Sequence, residues 1–281
     1  MEPLRTLGGV SDPQHPSLQV TWLGHATVVL DLAGTRLVTD PLLRAHAGPL
    51  RRRGPAPRPE QWAGSDAVLL SHLHHDHAEL ASLRMLGDVP VLSAAPNAAW
   101  LRRRGLAGVS LGPDTADPGE WHRVGSVEVR QVEADHHARP MPHRPAAAHG
   151  HLLRAGDRRV HVVGDSDLTP TMARAAELAG GPLDLVVVPI HGWGPRLSDG
   201  HLDPVRAAQA CAAVGARWVL PYHFGTLYPP LVPWFSDYLD RPLAEFAAAL
   251  AEHAPDCRLA PVAGQAGARW AVPTADEEPG A

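Results

Sequence analysis

Apolar residues come in short runs separated by turn formers, not in long stretches. Leu18–Trp22, Thr27–Leu32 and Arg36–Thr39 alternate apolar and polar positions and predict strands, with Ala33-Gly34 turning a hairpin. Ala67–Leu70 is a compact apolar run of a length that suits a buried strand. Ser126–Val132, Leu152–Ala155, Val160–Val163, Leu185–Ile190 and Trp218–Tyr222 predict further strands, with Gly156-Asp157 as a turn between two of them. Helical spacing marks Ala78–Leu86, Ala95–Arg104, Thr169–Ala179, Pro204–Val214 and Arg241–His253. Three stretches break the pattern. Ala45–Pro59, rich in Pro, Gly and Arg, predicts an exposed loop, Ala138–His149 an irregular one, and the tail from Pro273 is expected to fray. Strands interleaved with helices, without internal repeat or composition break, predict one α/β domain over residues 1–281 with its core at about 18–255.

Composition narrows the classes. The 281 residues are 44% hydrophobic and 20% charged, which excludes a disordered chain. No run approaches the ~18 apolar residues of a membrane span, and the first residues lack a secretion signal. A cytoplasmic protein without stable membrane association is the expectation. A net charge of −5, with every basic residue an arginine, speaks against a nucleic-acid partner held by phosphate neutralisation. Histidine is abundant, 18 residues against 2 cysteines, so any metal is held by imidazole and carboxylate.

Ser71-His72-Leu73-His74-His75-Asp76-His77 concentrates that chemistry. Alternate residues leaving a strand point to one side, so His72 and His74 converge, and Asp76 and His77 approach from the following turn. Neutral imidazoles suit zinc or iron, and carboxylates add charge compensation. These donors cannot complete two sites, and more stand directly after predicted strands: His136, Asp165 and His223. His75 is off-phase and reads as solvent-facing, and Asp135 as pointing away beside His136. His137, His143, His149 and His151 border the Pro-rich stretch and read as loop or pocket-lining, while His191 reads as a substrate wall or a structural histidine. The Arg51-Arg52-Arg53 and Arg102-Arg103-Arg104 runs read as solvated surface, with attraction of an anionic substrate as the sharper alternative.

Trp22-Leu23-Gly24-His25-Ala26-Thr27, Thr39-Asp40-Pro41, the H-x-H-x-D-H run, Gly164-Asp165 and His223-Phe224-Gly225-Thr226 occur in that order. Together they resemble the metallo-β-lactamase superfamily, in the branch of N-acyl phosphatidylethanolamine phospholipase D and L-ascorbate phosphate lactonase. The resemblance implies a four-layer αββα sandwich. It also implies two divalent metal ions, zinc first, with manganese or iron as alternatives. His72, His74 and His136 would hold one ion, Asp76, His77 and His223 the other, and Asp165 would bridge them. His25 and Asp40 would orient ligands, and His201 would stabilise the transition state or protonate the leaving group. The implied activity is hydrolysis of a phosphodiester or lactone-type ester on a small, anionic molecule by a hydroxide shared between the metals. A non-hydrolytic metal-binding or redox protein on the same fold is the alternative. His137-Ala138 and Ser166-Asp167-Leu168 depart from the branch pattern beside His136 and Asp165. Specificity is expected in the loops Ala45–Pro59, Ala138–His149 and Leu227–Asp240, where Trp234, Phe235 and Tyr238 would form an apolar wall or pack a lid.

Overall fold

The computed structural model describes residues 17–115, 117–136, 144, 146–233 and 235–277. Strands β1 (Leu18–Gly24), β2 (Thr27–Leu32) and β3 (Thr35–Thr39) form an antiparallel meander. Short strands β4 (His46–Ala47) and β5 (Leu50–Arg52) and helix α1 (Pro59–Trp62) lead to β6 (Ala67–Leu69). Helix α2 (Leu80–Met85), β7 (Val91–Ser93), α3 (Ala95–Arg102) and β8 (Gly108–Ser110) continue the first half, where β6, β7 and β8 extend β3 in parallel.

The second half mirrors this plan. Strands β9 (His122–Val124), β10 (Val127–Glu133), β11 (His149–Ala155) and β12 (Arg158–Val162) are antiparallel. A 3-10 turn (Pro170–Arg174) enters α4 (Ala175–Ala179), followed by β13 (Leu185–Pro189), α5 (Pro204–Val214) and β14 (Trp218–Tyr222). After β15 (Leu227–Tyr228) come α6 (Arg241–His253), β16 (Arg258–Leu259) and β17 (Arg269–Ala271). The two large sheets run β17-β1-β2-β3-β6-β7-β8 and β16-β14-β13-β12-β11-β10-β9.

Burial explains the layering. β13 reads LVVVP and is buried at every position, as a parallel strand covered on both faces must be. Val20, Leu30 and Leu69 of the first sheet share one apolar core with Val129, Leu153 and Val187 of the second. Val38, Val68 and Leu70 form another cluster with Leu83, Trp100 and Leu101 of the helical layer. Helices α5 and α6 pack together over the second sheet. The result is helix, sheet, sheet, helix: the αββα sandwich. Local signals agree with the layers. The Asp203 carboxylate accepts from the Arg206 N–H at 2.8 Å, Pro204 occupies the first turn of α5, and Gly215 ends it at φ 66°. Among the described residues no helix is long and apolar enough to cross a membrane.

Three expectations are corrected. The 45–59 stretch is not simply exposed: β5 pairs with β4 and β15, and Ala47 and Leu50 pack with Leu42 and Leu227. His149 and His151 are neither loop nor pocket residues but buried positions of β11, whereas His137 and His143 lie outside the described residues. The start of the tail expected to fray is tied down, because Arg158 donates to the Pro273 carbonyl at 3.0 Å and Arg217 to the Thr274 carbonyl at 3.0 Å, while residues 278–281 lie outside the described residues. The core correspondingly runs on to Val272.

His161 of β12 is 3% exposed, and its Nδ1 has no hydrogen-bond partner. Burial, then the nearby His151, pushes its pKa down from 6.5 to about 4. Within that window the unfolded chain binds a proton that the folded one refuses. Stability is therefore intact above pH ~6.5 and lost as pH falls toward ~4, by ~3 kcal/mol for this residue. Urea unfolding of His161→Leu should show a shallower loss of stability between pH 7 and pH 5 than wild type. Identical slopes would mean that His161 is not held neutral by the fold.

Candidate metal centre

Strand ends deliver the polar side chains. His25 follows β1, Asp40 follows β3 and Ser71–His77 follows β6 on the first sheet. His136 follows β10, Asp165 follows β12, His191 follows β13 and His223 follows β14 on the second. Three of these residues have left-handed backbone: His25 at φ 50°, Asp40 at 34° and His223 at 62°. Such a conformation costs a non-glycine residue about 1–3 kcal/mol and persists only where surrounding bonds impose it. The bonds are present. The His25 carbonyl accepts from the His223 N–H at 3.0 Å and the Trp22 indole at 2.9 Å, while its own N–H donates to Thr226 Oγ1 at 2.7 Å. Asp40 accepts from the Ser71 N–H at 2.8 Å, the Ser71 hydroxyl at 2.6 Å and His77 Nδ1 at 2.8 Å.

These anchors assign the tautomers. His77 Nδ1 donates to Asp40, His136 Nδ1 to the Gly200 carbonyl at 2.9 Å, and His223 Nδ1 to the His191 carbonyl at 2.9 Å. The Ser71 hydroxyl gives its proton to Asp40 and so accepts from His72 Nδ1 at 2.9 Å. All four rings therefore turn an Nε2 lone pair toward the common centre. There, His77 Nε2 and His223 Nε2 stand 2.9 Å apart, and His136 Nε2 stands 3.2 Å from His74 Nδ1. His72 Nε2 and Asp165 Oδ1 are buried without any hydrogen-bond partner. Acceptors that face acceptors, and others that face nothing, call for a cation among them.

The donor chemistry fits a divalent ion. Four overlapping groups each keep their ligand atoms within 4.8 Å: His72, His74 and His136; His25, Asp76, His77 and His223; His72, His77 and Asp165; and His136, Asp165 and His201. Asp165 Oδ2 is central, 3.0 Å from His77 Nε2, 3.3 Å from His223 Nε2 and 3.8 Å from His72 Nε2. His25 Nε2 stands 2.9 Å from Asp76 Oδ2 and steadies that carboxylate. Burial lowers the pKa of His72 strongly and that of His74 to about 4, so both stay in the neutral, ligating form. Burial opposes ionisation of Asp76 and Asp165, yet the surrounding histidines hold both well below the usual carboxylate range. Against its own burial, His77 is held well above its usual range by Asp165, Asp40 and Asp76. The cluster demands positive charge at this point.

A cavity of about 920 Å³ opens on this cluster. His74, Asp76, Asp165 and His201 form its polar end, and Leu50 with the Trp193–Leu197 loop forms much of its apolar wall. His201 Nε2 lies 3.4 Å from Asp165 Oδ2, while its Nδ1 faces the carbonyls of Ser198 at 3.2 Å and Asp199 at 3.3 Å. Although burial works against it, Asp165 raises the pKa of His201.

The ten anticipated at the centre, His25, Asp40, His72, His74, Asp76, His77, His136, Asp165, His201 and His223, are brought together, and His75 is exposed. Asp135 belongs to none of the donor groups and forms a backbone bridge with Asp167. His191 serves through its carbonyl. Trp234 lies outside the described residues, and Tyr238 is buried with its hydroxyl donating to the Trp193 carbonyl at 3.3 Å. Ser71, Thr226 and the Gly200 carbonyl were not anticipated. Two of them carried a signal, Ser71 at the head of the histidine run and Thr226 at the end of the His223-Phe224-Gly225-Thr226 motif.

Residues 35–224 match the family model described as a beta-lactamase superfamily domain. The chain is 28% identical over 233 residues to N-acyl-phosphatidylethanolamine-hydrolyzing phospholipase D 1 of Caenorhabditis elegans, an alignment covering 75% of this chain. It spans 65% of that protein's length, less than two thirds. It is 30% identical over 232 residues to a protein named as a metal-dependent hydrolase from Solibacter usitatus, covering 80% of this chain and 92% of the relative. The fold is also that of the metallo hydrolase Igni18 from Ignicoccus hospitalis, with a TM-score of 0.67 at 17% identity over 92% of this chain and 99% of that one. With a family model that matches most of the chain, and a sandwich whose strand ends gather the H-x-H-x-D-H donors, the chain belongs to the metallo-β-lactamase superfamily.

Proposed function

We propose that this protein is a metal-dependent hydrolase that cleaves a phosphodiester or lactone-type ester in a small, anionic molecule with an apolar portion. The observation that carries this reading is the apolar cavity of about 920 Å³ ending on His74, Asp76, Asp165 and His201. His72, His74 and His136 would hold one ion, Asp76, His77 and His223 a second, and Asp165 would serve both. Zinc suits these ligands best, with manganese or iron as alternatives. Bound divalent ions lower the pKa of water from 15.7 to about 7 and offset negative charge developing on the substrate.

The rest is the work of the chain. Asp165, ionised and at hydrogen-bond range of His77, fixes the orientation of whatever nucleophile enters the centre. His201 carries a raised pKa on the cavity side and gives its Nε2 proton to the leaving oxygen. Leu50 and Trp193 hold the apolar portion and exclude water.

Zinc-loaded protein assayed on p-nitrophenyl phosphodiesters and on lactones of growing alkyl length tests the reading. Each added methylene should raise kcat/KM about fourfold until the cavity is filled. Trp193→Ala should raise KM for the longer substrates with kcat little changed. Loss of the idea would follow from no turnover of either ester class. Bound iron with visible absorption and an oxidised product would favour the redox alternative instead.

A further inference from the structure

A second cavity, of about 570 Å³, shares no lining residue with the first. Trp22 and Phe224, whose rings stack at 5.2 Å, line it together with the arginines Arg52, Arg53 and Arg58. None of the proposed metal ligands lines it.

Arg52 is the unusual member. It was expected at the surface, but it is 8% exposed. Its Nε donates to the Pro55 carbonyl at 3.0 Å, its Nη1 to Leu42 at 3.2 Å and its Nη2 to the Leu23 carbonyl. All three acceptors are neutral, and burial lowers the guanidinium to about 10 with no carboxylate opposing it. It is therefore a charged group inside the protein without a counter-charge among the described residues, where buried charges are ordinarily paired. One N–H on each Nη remains after these bonds. Arg53 is already balanced, donating twice to Asp240 at 2.7 and 3.0 Å. Arg58, exposed at the cavity edge, has no ion-pair partner among the described residues. Among the described residues, two guanidinium groups lining this cavity thus have no carboxylate partner. Gly24, at φ +98°, makes room for this arrangement, since a Cβ there would lie 2.5 Å from Arg52 Nη2.

We propose that this cavity binds a small phosphate-bearing molecule, its phosphate held by Arg52 and Arg58 and its organic portion resting against Trp22 and Phe224. A phosphate monoester carries about −1.5 to −2 charge at neutral pH, matching the two unbalanced guanidiniums, and arginine forks pair with its oxygens. The site is separate from the hydrolytic centre but continuous with its supports. The Arg53 N–H donates to the Thr226 carbonyl at 2.7 Å, and Thr226 Oγ1 accepts from the His25 N–H.

Calorimetric titration of the metal-loaded protein with inorganic phosphate and with phenylphosphonate tests this. Arg58→Glu should weaken binding of both about tenfold, and Asp240→Asn, which releases Arg53 to the cavity, should strengthen it about fivefold. Phenylphosphonate should bind more tightly than phosphate. Both substitutions are at exposed side chains, so a folding failure does not obscure the result. The proposal is overturned if both variants bind the two probes as wild type does, or if His74→Ala alone removes binding, which would place the anion at the metal centre.

Discussion

The His74→Ala variant is expected to lose bound metal and to hydrolyse its substrate ~10³-fold more slowly or worse. His74 and His136 face each other at 3.2 Å and, with His72, make up one donor group. Without His74, two imidazoles remain there, too few for a closed site. Elemental analysis of the purified variant, kcat/KM on a responsive ester and a circular dichroism spectrum check the result together. A folded variant with full metal content and wild-type turnover would contradict the ligand assignment.

Asp40→Asn is the second large effect. It preserves shape, but the amide cannot accept from all three donors that the carboxylate serves. With its oxygen kept on the Ser71 N–H, its NH₂ group meets His77 Nδ1. The His77 proton is then driven to Nε2, the atom 2.9 Å from His223 Nε2 and 3.0 Å from Asp165. A ligand lone pair is lost without any ligand being deleted. Metal affinity or activity should fall about 10–100-fold. Asp40 acts on His77 directly and on His72 through the Ser71 hydroxyl, so metal titration should show weaker binding at both donor groups while the circular dichroism spectrum stays that of wild type. Unchanged metal binding would remove Asp40 from its role.

Much of this architecture is legible in the residues because strand, donor and turn follow one another in a fixed rhythm. The runs ending at Leu70, Val132, Val163 and Tyr222 announce themselves by buried apolar character, and a histidine or aspartate stands just beyond each. What escapes has a physical reason. Strands of two or three residues, such as those at 46–47, 91–93 and 258–259, are too short to show a period. Arg52 hides within a basic run, yet the β5 strand alternates, turning Leu50 and Arg52 inward and Arg51 outward. The carbonyls of His191 and Gly200 orient two ligands but, as backbone groups, leave no mark on residue identity. The Trp193–Leu197 wall is a glycine- and proline-broken loop after β13, and its role emerges only once neighbouring strand ends surround it.

The gathered donors belong to both sheets: His72 to His77 hang from one, and His136, Asp165 and His223 from the other. Any ion held between them ties together two halves that are distant along the chain. Its affinity and the resistance of the sandwich to being prised apart are then a single thermodynamic quantity seen from two directions. A chelator would then act on this molecule as a mild denaturant aimed at the seam, and a melting curve would double as a binding isotherm.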